Sequence, residues 1–319
     1  MHRLDCMPQR RSGLDDPQLL DDAGLERLVT EAGSQPGADY DLRATVELVE
    51  LMNAEDSTVA AAVAAAATSI AATVDAISDC LARGGRLIYV GAGSSGRIAA
   101  LDASECESTF SVPAGTVVSL LAGGVSATPL EQEAAEDDRD AGSKDVAALT
   151  VGDGDIVVGI SASGRTPYVL SAIDEAARAG ARTACVVSAR GSELEKLVDY
   201  PIVVVVGPEF LAGSTRLKAG TAQKLVLNTL STVSMIRLGK TFGNLMVDVS
   251  ATNEKLRARV RRIVGAATGA SPEQVERALS AADGDAKVAI VSLLAEIDSD
   301  DARAKLDAAG QSIRLALRT

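Results

Sequence analysis

Between residues 87 and 206 the chain alternates short Val/Ile-rich runs with helical stretches, and this alternation restricts the fold more than any other feature. The runs at 87–90, 117–121, 156–160, 183–187 and 202–206 contain almost no polar residues, as expected of strands covered on both faces. Helical patterns fill the intervals, near 98–103, 130–140, 167–179 and 192–198. The pattern predicts an α/β fold with a parallel sheet flanked by helices. Residues 1–56 read as a polar arm followed by a helix, 57–245 as the sheet domain, and 246–319 as a small C-terminal helical module. Asp56 or Ser57 is expected to cap a long Ala-rich helix that Gly84 and Gly85 terminate. A further long helix is expected over 218–238, and one helix of the tail should open at Ser271, with Pro272 in its first turn and Gln274 completing a capping box.

Composition narrows the function. Aromatic residues make up 2% of the chain and Trp is absent, so the core must be aliphatic and stacking platforms for single-stranded nucleic acid are missing. A net charge of −13 opposes non-specific attraction to DNA or anionic membranes. The four cysteines (Cys6, Cys80, Cys106, Cys185) form no CxxC pair and read as free thiols of a reducing cytoplasm. Arg3, Arg10 and Arg11 precede no apolar run, so no signal peptide is expected. The uncharged stretch 57–74 is mostly Ala with Ser and Thr, too weakly apolar to favour a bilayer. These features predict a cytoplasmic protein with neither nucleic acid nor membrane as partner. The only histidine is His2, which argues against a His-based triad or a His-rich metal site; acid–base chemistry falls to carboxylates, Lys, Tyr or Cys.

Three polar loops carry the chemistry. The segment 91–96 (GAGSSG) has the form GxGxxG between a strand and a helix, which raises the possibility of a dinucleotide. That reading also needs a carboxylate at the end of the next strand, where Leu121, Ala122, Gly123 and Gly124 stand instead. Gly93, Ser94, Ser95, Gly96 and Arg97 at a helix N-terminus suit a compact phosphate ester better, with an ordinary tight turn as the plain alternative. A second loop, with Ser161, Ser163, Gly164, Arg165, Thr166 and Pro167, echoes the first: each is an apolar strand that ends in Ser-Gly-Arg. Two such loops at the carboxyl ends of parallel strands can converge on one ligand. A third holds Gly213, Ser214, Thr215, Arg216 and Lys218; Arg216 and Lys218 either add positive charge to a site or form structural ion pairs. Ser and Thr in all three also serve as ordinary caps and turn residues.

At the segments YVGAGSSGR (89–97), LDASEC (101–106), ASGRTPYV (162–169), GSTRLKAGTAQK (213–224) and NLMVDVSATNEKL (244–256) the chain resembles the sugar isomerase (SIS) fold, and within it the N-acetylmuramic acid 6-phosphate etherases. The resemblance implies a sugar-phosphate substrate, cleavage of its D-lactyl ether to N-acetylglucosamine 6-phosphate and D-lactate, no metal or organic cofactor, and a homodimer. It also implies that Glu105 donates a proton to the departing lactate and that Glu136 removes the proton at C2. Glu136 lies in an acidic run that by itself reads as a solvated helix face. Ser94, Ser95, Ser163, Thr166 and Ser214 are the expected phosphate and sugar contacts. This chain has Glu107 and Ser108 where the family commonly has two prolines, placing an extra carboxylate two residues from Glu105 that is expected to help keep it protonated. Rival readings are a non-catalytic sugar-phosphate sensor like the glucokinase regulatory protein, which has two such domains where this chain has room for one, a transcriptional regulator, for which the RARVRR patch (257–262) is too little basic surface, and an aldose–ketose isomerase, which usually wants a histidine.

Overall fold

A computed structural model describes residues 39–248 and 254–318; the leader with His2 and Cys6 lies outside the described residues. The chain enters through helix α1 (Thr45–Asp56), continues through α2 (Val59–Ala65) and α3 (Ala67–Ala82), and then begins the sheet with β1 (Leu87–Gly91). There follow α4 (Gly93–Phe110), β2 (Val117–Leu121), α5 (Pro129–Ala135), α6 (Arg139–Ala148), β3 (Ile156–Ile160), α7 (Pro167–Arg178), β4 (Arg182–Val187), α8 (Glu193–Leu197), β5 (Tyr200–Val203) and α9 (Lys218–Arg237). A two-stranded hairpin, β6 (Thr241–Phe242) and β7 (Leu245–Met246), leads to α10 (Glu254–Thr268), α11 (Pro272–Ala281), α12 (Ala286–Ala295), α13 (Ser299–Ala308) and α14 (Ile313–Ala316).

The five larger strands form one sheet in the order β2-β1-β3-β4-β5, every pair parallel. Alternate residues of each strand serve opposite faces. Leu87, Tyr89, Ile156, Val158, Ile160 and Val186 pack with Ile70, Val74 and Ile77 of α3 and with Val226 and Leu230 of α9. Ile88, Val90, Val157, Cys185 and Val187 pack with Val146 of α6 and with Tyr168, Val169 and Ile173 of α7. Helices on both faces explain why the strands read as unbroken apolar runs. A third cluster, with Val247, Val264, Val275, Val288, Ile290 and Leu306, gives α10–α14 a core of their own. Ser271 caps α11 with Gln274 as its box partner, as the spacing predicts. Arg257 and Arg261 of the basic patch both pair with Glu254. Among the described residues no single helix is long and apolar enough to cross a membrane.

Four expectations need correction. The Ala-rich stretch is two helices, and the chain bends by 60° at the break before α3. Ser57 caps no N-terminus: its hydroxyl and that of Thr58 donate back to the carbonyls of Ala54 and Glu55 (2.7 Å each), closing α1. The helix expected over 130–140 is interrupted at 136–138, because the Asp138 side chain accepts from the amide of Ala141 (2.9 Å) and starts a new helix. The fifth strand ends at Val203 rather than Val206, since β4, its only partner, ends at Val187.

A buried clamp ties β1 to β3 at their entrance. Asp155 accepts from the backbone amide of Arg86 (3.0 Å), from its Nε (3.1 Å) and Nη2 (2.6 Å), and from the amide of Gly152 (3.1 Å). Burial raises the Asp155 carboxyl, but the Arg86 and Gly152 hydrogen bonds outweigh it and hold the group below the usual carboxylate range. A depressed native value means stabilisation that is present above the unfolded-state value and lost as pH falls through the native one. Asp155→Ala is therefore expected to cost about 2–4 kcal/mol near neutral pH. Denaturant unfolding at several pH values should show that deficit shrinking in acid.

Candidate active site

The chain reverses direction across the sheet between β1 and β3: β2 lies to one side of β1, and β3, β4 and β5 follow on the other. In open parallel sheets the crevice at the carboxyl ends of the strands flanking such a reversal is where ligands bind. The loops that leave β1 and β3 here are the two that echo each other in sequence.

The first loop is more helical than the sequence suggests. Helix α4 begins at Gly93, so Ser94, Ser95 and Gly96 form its opening turn. The start is fixed by close packing: a Cβ on Gly91 would lie 2.7 Å from the Gly96 amide nitrogen, and one on Gly96 would lie 2.6 Å from the Gly91 carbonyl oxygen. Gly93 has φ +51°, a conformation L side chains rarely adopt. Ala92, at the N-cap, has no side-chain acceptor, so the first amides of α4 point outward unfilled. The hydroxyls of Ser94 and Ser95 make no hydrogen bond among the described residues and are half-buried. Arg97 turns aside to Gln132, donating to its Oε1 (2.6 Å), while Gln132 Nε2 donates to the carbonyl of Gly124 (3.1 Å).

The second loop is organised around Ser161, whose hydroxyl accepts from the Gly164 amide (3.0 Å) and lies 2.9 Å from Thr166 Oγ1 and 3.4 Å from Ser163 Oγ. Ser163 accepts from the Arg165 amide (3.3 Å), and the Arg165 side chain is exposed. Gly164 has φ +65° and packs against Ser192, where a Cβ would collide. Thr166 is the N-cap of α7 and makes no capping bond; its hydroxyl donates instead to Glu136 Oε1 (3.2 Å).

Glu136 thus stands between the two loops. Its Oε2 lies 4.0 Å from the position a Cβ would take on Gly93, its Oε1 meets Thr166, and its carbonyl accepts from the Tyr168 amide (3.1 Å). The break between α5 and α6 turns this residue inward, out of the acidic run that surrounds it. Burial raises its carboxyl above the ordinary glutamate value, with Asp137 and Glu133 adding to the rise and the Thr166 hydrogen bond opposing it. Two helix N-termini without side-chain caps beside a half-buried carboxylate can hold an anionic group and move a proton next to it.

The third loop is built differently. Glu209, fully buried, accepts from the amides of Lys218 and Ala219 (2.9 Å each), so an internal carboxylate already fills the N-terminus of α9. Lys218 is 3% exposed and pairs with Glu55 of α1 at 2.5 Å. Of the two roles open to Lys218, the structure shows the ion pair; its charge is taken up within the fold. Ser214 is half-buried, and no side-chain bond joins it to Glu136 among the described residues.

Glu105 is placed apart from this crevice. It lies twelve residues beyond Gly93 on α4, about 18 Å at the helical rise. Its side chain is 60% exposed and is 3.5 Å from Lys224 Nζ. Glu107 does not face it, because residues two apart on a helix point in different directions. Glu107 instead borders a crevice with Val112, Pro113 and Gly115. The expectation of a carboxylate pair at 105 and 107 is therefore corrected. Sequence reading missed Ser161 as the hub of its loop, Gln132, and the buried acids Asp102 and Glu209. Only the Thr128–Glu131 capping box ahead of Gln132 offered a local sign of where that helix starts.

The sheet order and the paired loops define a sugar isomerase (SIS) domain. A family model described as SIS domain matches residues 137–233, and one described as the glucokinase regulatory protein N-terminal SIS domain matches 67–177. A phosphoheptose isomerase structure from Neisseria gonorrhoeae is similar at a TM-score of 0.48 and 19% identity, covering 60% of this chain and 98% of that one. Curated relatives are closer. N-acetylmuramic acid 6-phosphate etherases of Rubrobacter xylanophilus and Streptomyces avermitilis are 56% and 54% identical, covering 93% and 92% of this chain and 98% and 95% of their own lengths. One from Escherichia coli O1:K1 is 48% identical over 92% of this chain and 98% of its own. The chain belongs to the N-acetylmuramic acid 6-phosphate etherase family.

Because Glu136 is raised by burial and held down by Thr166, Thr166→Val is expected to move the acidic limb of the kcat/KM–pH profile upward and to lower kcat/KM at neutral pH. Initial rates across pH 5–8 check both.

Proposed function

We propose that the chain cleaves the D-lactyl ether of N-acetylmuramic acid 6-phosphate to N-acetylglucosamine 6-phosphate and D-lactate, as a carbon–oxygen lyase of cell-wall amino sugar recycling in the cytoplasm. The observation that carries this reading is the meeting of two helix N-termini without side-chain caps on the half-buried carboxylate of Glu136, in a chain of the etherase family. The phosphate is held by the opening turn of α4 (Gly93, Ser94, Ser95, Gly96), with Ser163, Gly164 and Thr166 of the second loop and Ser214 of the third completing the contacts. Arg97 and Arg165 contribute positive field at the rim. Lys218 acts on the site only by fixing α9 against α1.

In the open-chain sugar the C1 aldehyde acidifies the C2 proton. Glu136 takes that proton, and the C2–H electron pair becomes the C2=C3 double bond. The C3–O bond breaks with its electrons going to oxygen, which Glu105 protonates as lactate leaves. Water then adds at C3. Neither a metal nor an organic cofactor enters these steps. A carboxyl that burial raises above the ordinary glutamate value makes a stronger base than an exposed glutamate. The regulator reading is not favoured, since these curated relatives, which match 92–93% of this chain, are etherases.

A homodimer reconciles Glu105 with this scheme. Glu136 borders Gly93 at the start of α4, and Glu105 lies about 18 Å further along that helix, too far for the two to serve adjacent carbons from one chain, so the partner's Glu105 serves the Glu136 site of each chain. Two features support it. Helix α1 buries none of its residues, and Leu42, Val46 and Val49 in and before it are 80%, 62% and 53% exposed. Leu101 and Leu225, near Glu105 and Lys224 in sequence, are 48% and 37% exposed. The core of α10–α14 supports treating 246–319 as a module of its own.

D-Lactate should be released from the phosphorylated sugar without added metal or nucleotide, and not from the unphosphorylated sugar. No release by a folded sample removes the etherase reading. Glu136→Gln and Glu105→Gln are each expected to lower turnover by about 10²–10⁴-fold with little change in melting temperature. Mixing the two inactive variants after subunit dissociation should restore lactate release, because one site in a mixed dimer then carries both glutamates. A mixture that stays inactive, when wild-type chains survive the same treatment, places both glutamates in one chain.

A further inference from the structure

A row of charged groups leads from the core to Glu105. Asp102, 3% exposed, lies one helical turn before it on α4. The Tyr89 hydroxyl donates to Asp102 Oδ2 (3.1 Å) and the Ser231 hydroxyl to its Oδ1 (3.3 Å). Lys224 of α9 reaches across from the neighbouring helix, its Nζ 3.7 Å from Asp102 Oδ1 and 3.5 Å from Glu105 Oε2. The ammonium group therefore bridges a fixed carboxylate inside and a freer one outside. An ordinary surface ion pair contributes little, because two long side chains must be held by each other alone. Here one partner is anchored: Tyr89 of β1 and Ser231 of α9 fix the Asp102 carboxylate, and Asp102 fixes Lys224. Two other titratable groups meet Asp102: burial and then Asp102 raise the Tyr89 phenol well above its ordinary value, and Cys106, which donates to the Asp102 carbonyl (3.3 Å), is pushed up to about 12 by the same causes, so both stay neutral.

We propose that Lys224 is a positioning residue for the Glu105 acid, orienting its carboxyl and meeting the negative charge left there when the proton passes to lactate. The inference rests on the reading of Glu105 as the proton donor. In that step the carboxyl O–H bond breaks and its proton forms a new bond to the lactate oxygen as the C3–O bond cleaves, so Glu105 ends as a carboxylate 3.5 Å from a fixed ammonium. Nothing else among the described residues pairs with the Glu105 carboxylate. The same carboxylate is then placed to orient the water that adds at C3, with Lys224 again holding it.

A double-mutant cycle tests this with the full-length protein and N-acetylmuramic acid 6-phosphate as substrate. Lys224→Met is expected to lower kcat by about 10–100-fold with KM changed little, and Lys224→Arg to recover part of the loss. In the Glu105→Gln background Lys224→Met should cost nothing further, since its target is gone. Losses that multiply in the double variant overturn the proposal, as does wild-type kcat in Lys224→Met when Glu105→Gln is inactive. Wild-type activity in Glu105→Gln is a different failure: it removes the proton-donor reading and this inference with it. If Lys224→Met does not fold by circular dichroism, Lys224→Gln replaces it and is judged by the same comparison.

Discussion

The contact on which the site depends is the approach of β1 to α4 at Gly91 and Gly96. Neither position has room for a methyl group, and the strand passes into the helix with only Ala92 between them. That closeness sets the N-terminus of α4 directly over the carboxyl end of β1, with its first amides open to the crevice. A side chain at either glycine would push the helix outward and separate those amides from the second loop. The mutual fit of two backbones, rather than any single polar contact, is what brings Gly93 beside Glu136.

An acidic protein that binds an anion needs positive potential without spare cations. This chain carries −13 formal charge, and its best-placed lysine, Lys218, is committed to Glu55. The field comes instead from backbone amides at helix N-termini. The three helices that start near the crevice differ in what faces those amides. Glu209 closes α9 from within, whereas α4 and α7 have no side-chain cap. Glu136 stands beside both ends and its backbone carbonyl takes the Tyr168 amide of α7, but its carboxylate bonds to none of their first amides and meets only the Thr166 hydroxyl, so it stays available for a proton.

Much of the fold was legible because hydrophobic period and turn chemistry are local. The five strands, the parallel sheet and the Ser271 capping box follow from runs and spacings within a few residues of one another. Failures occurred where local signals compete. Ser57 has the residue type of an N-cap, yet its hydroxyl finds a carbonyl of the preceding turn, and Asp138 outcompetes helix continuation inside an acidic run. A capping residue can close one helix or open the next, and the sequence does not say which.

By itself the sequence determined the class of ligand: no usable histidine, few aromatics, net negative charge and two echoing Ser-Gly-Arg loops leave a small anion held by backbone and hydroxyls. It also carried the family motifs in which Glu105 and Glu136 sit. Only the tertiary structure decided which of those groups meet. Glu136 reaches the loops because a helix breaks beneath it and Thr166, thirty residues away, aims a hydroxyl at it. Lys218 is lost to the site because Glu55 reaches it from a helix 163 residues earlier, and Glu105 stands off along α4 beside Lys224. These outcomes depend on distances between segments remote in the chain, which no periodicity records.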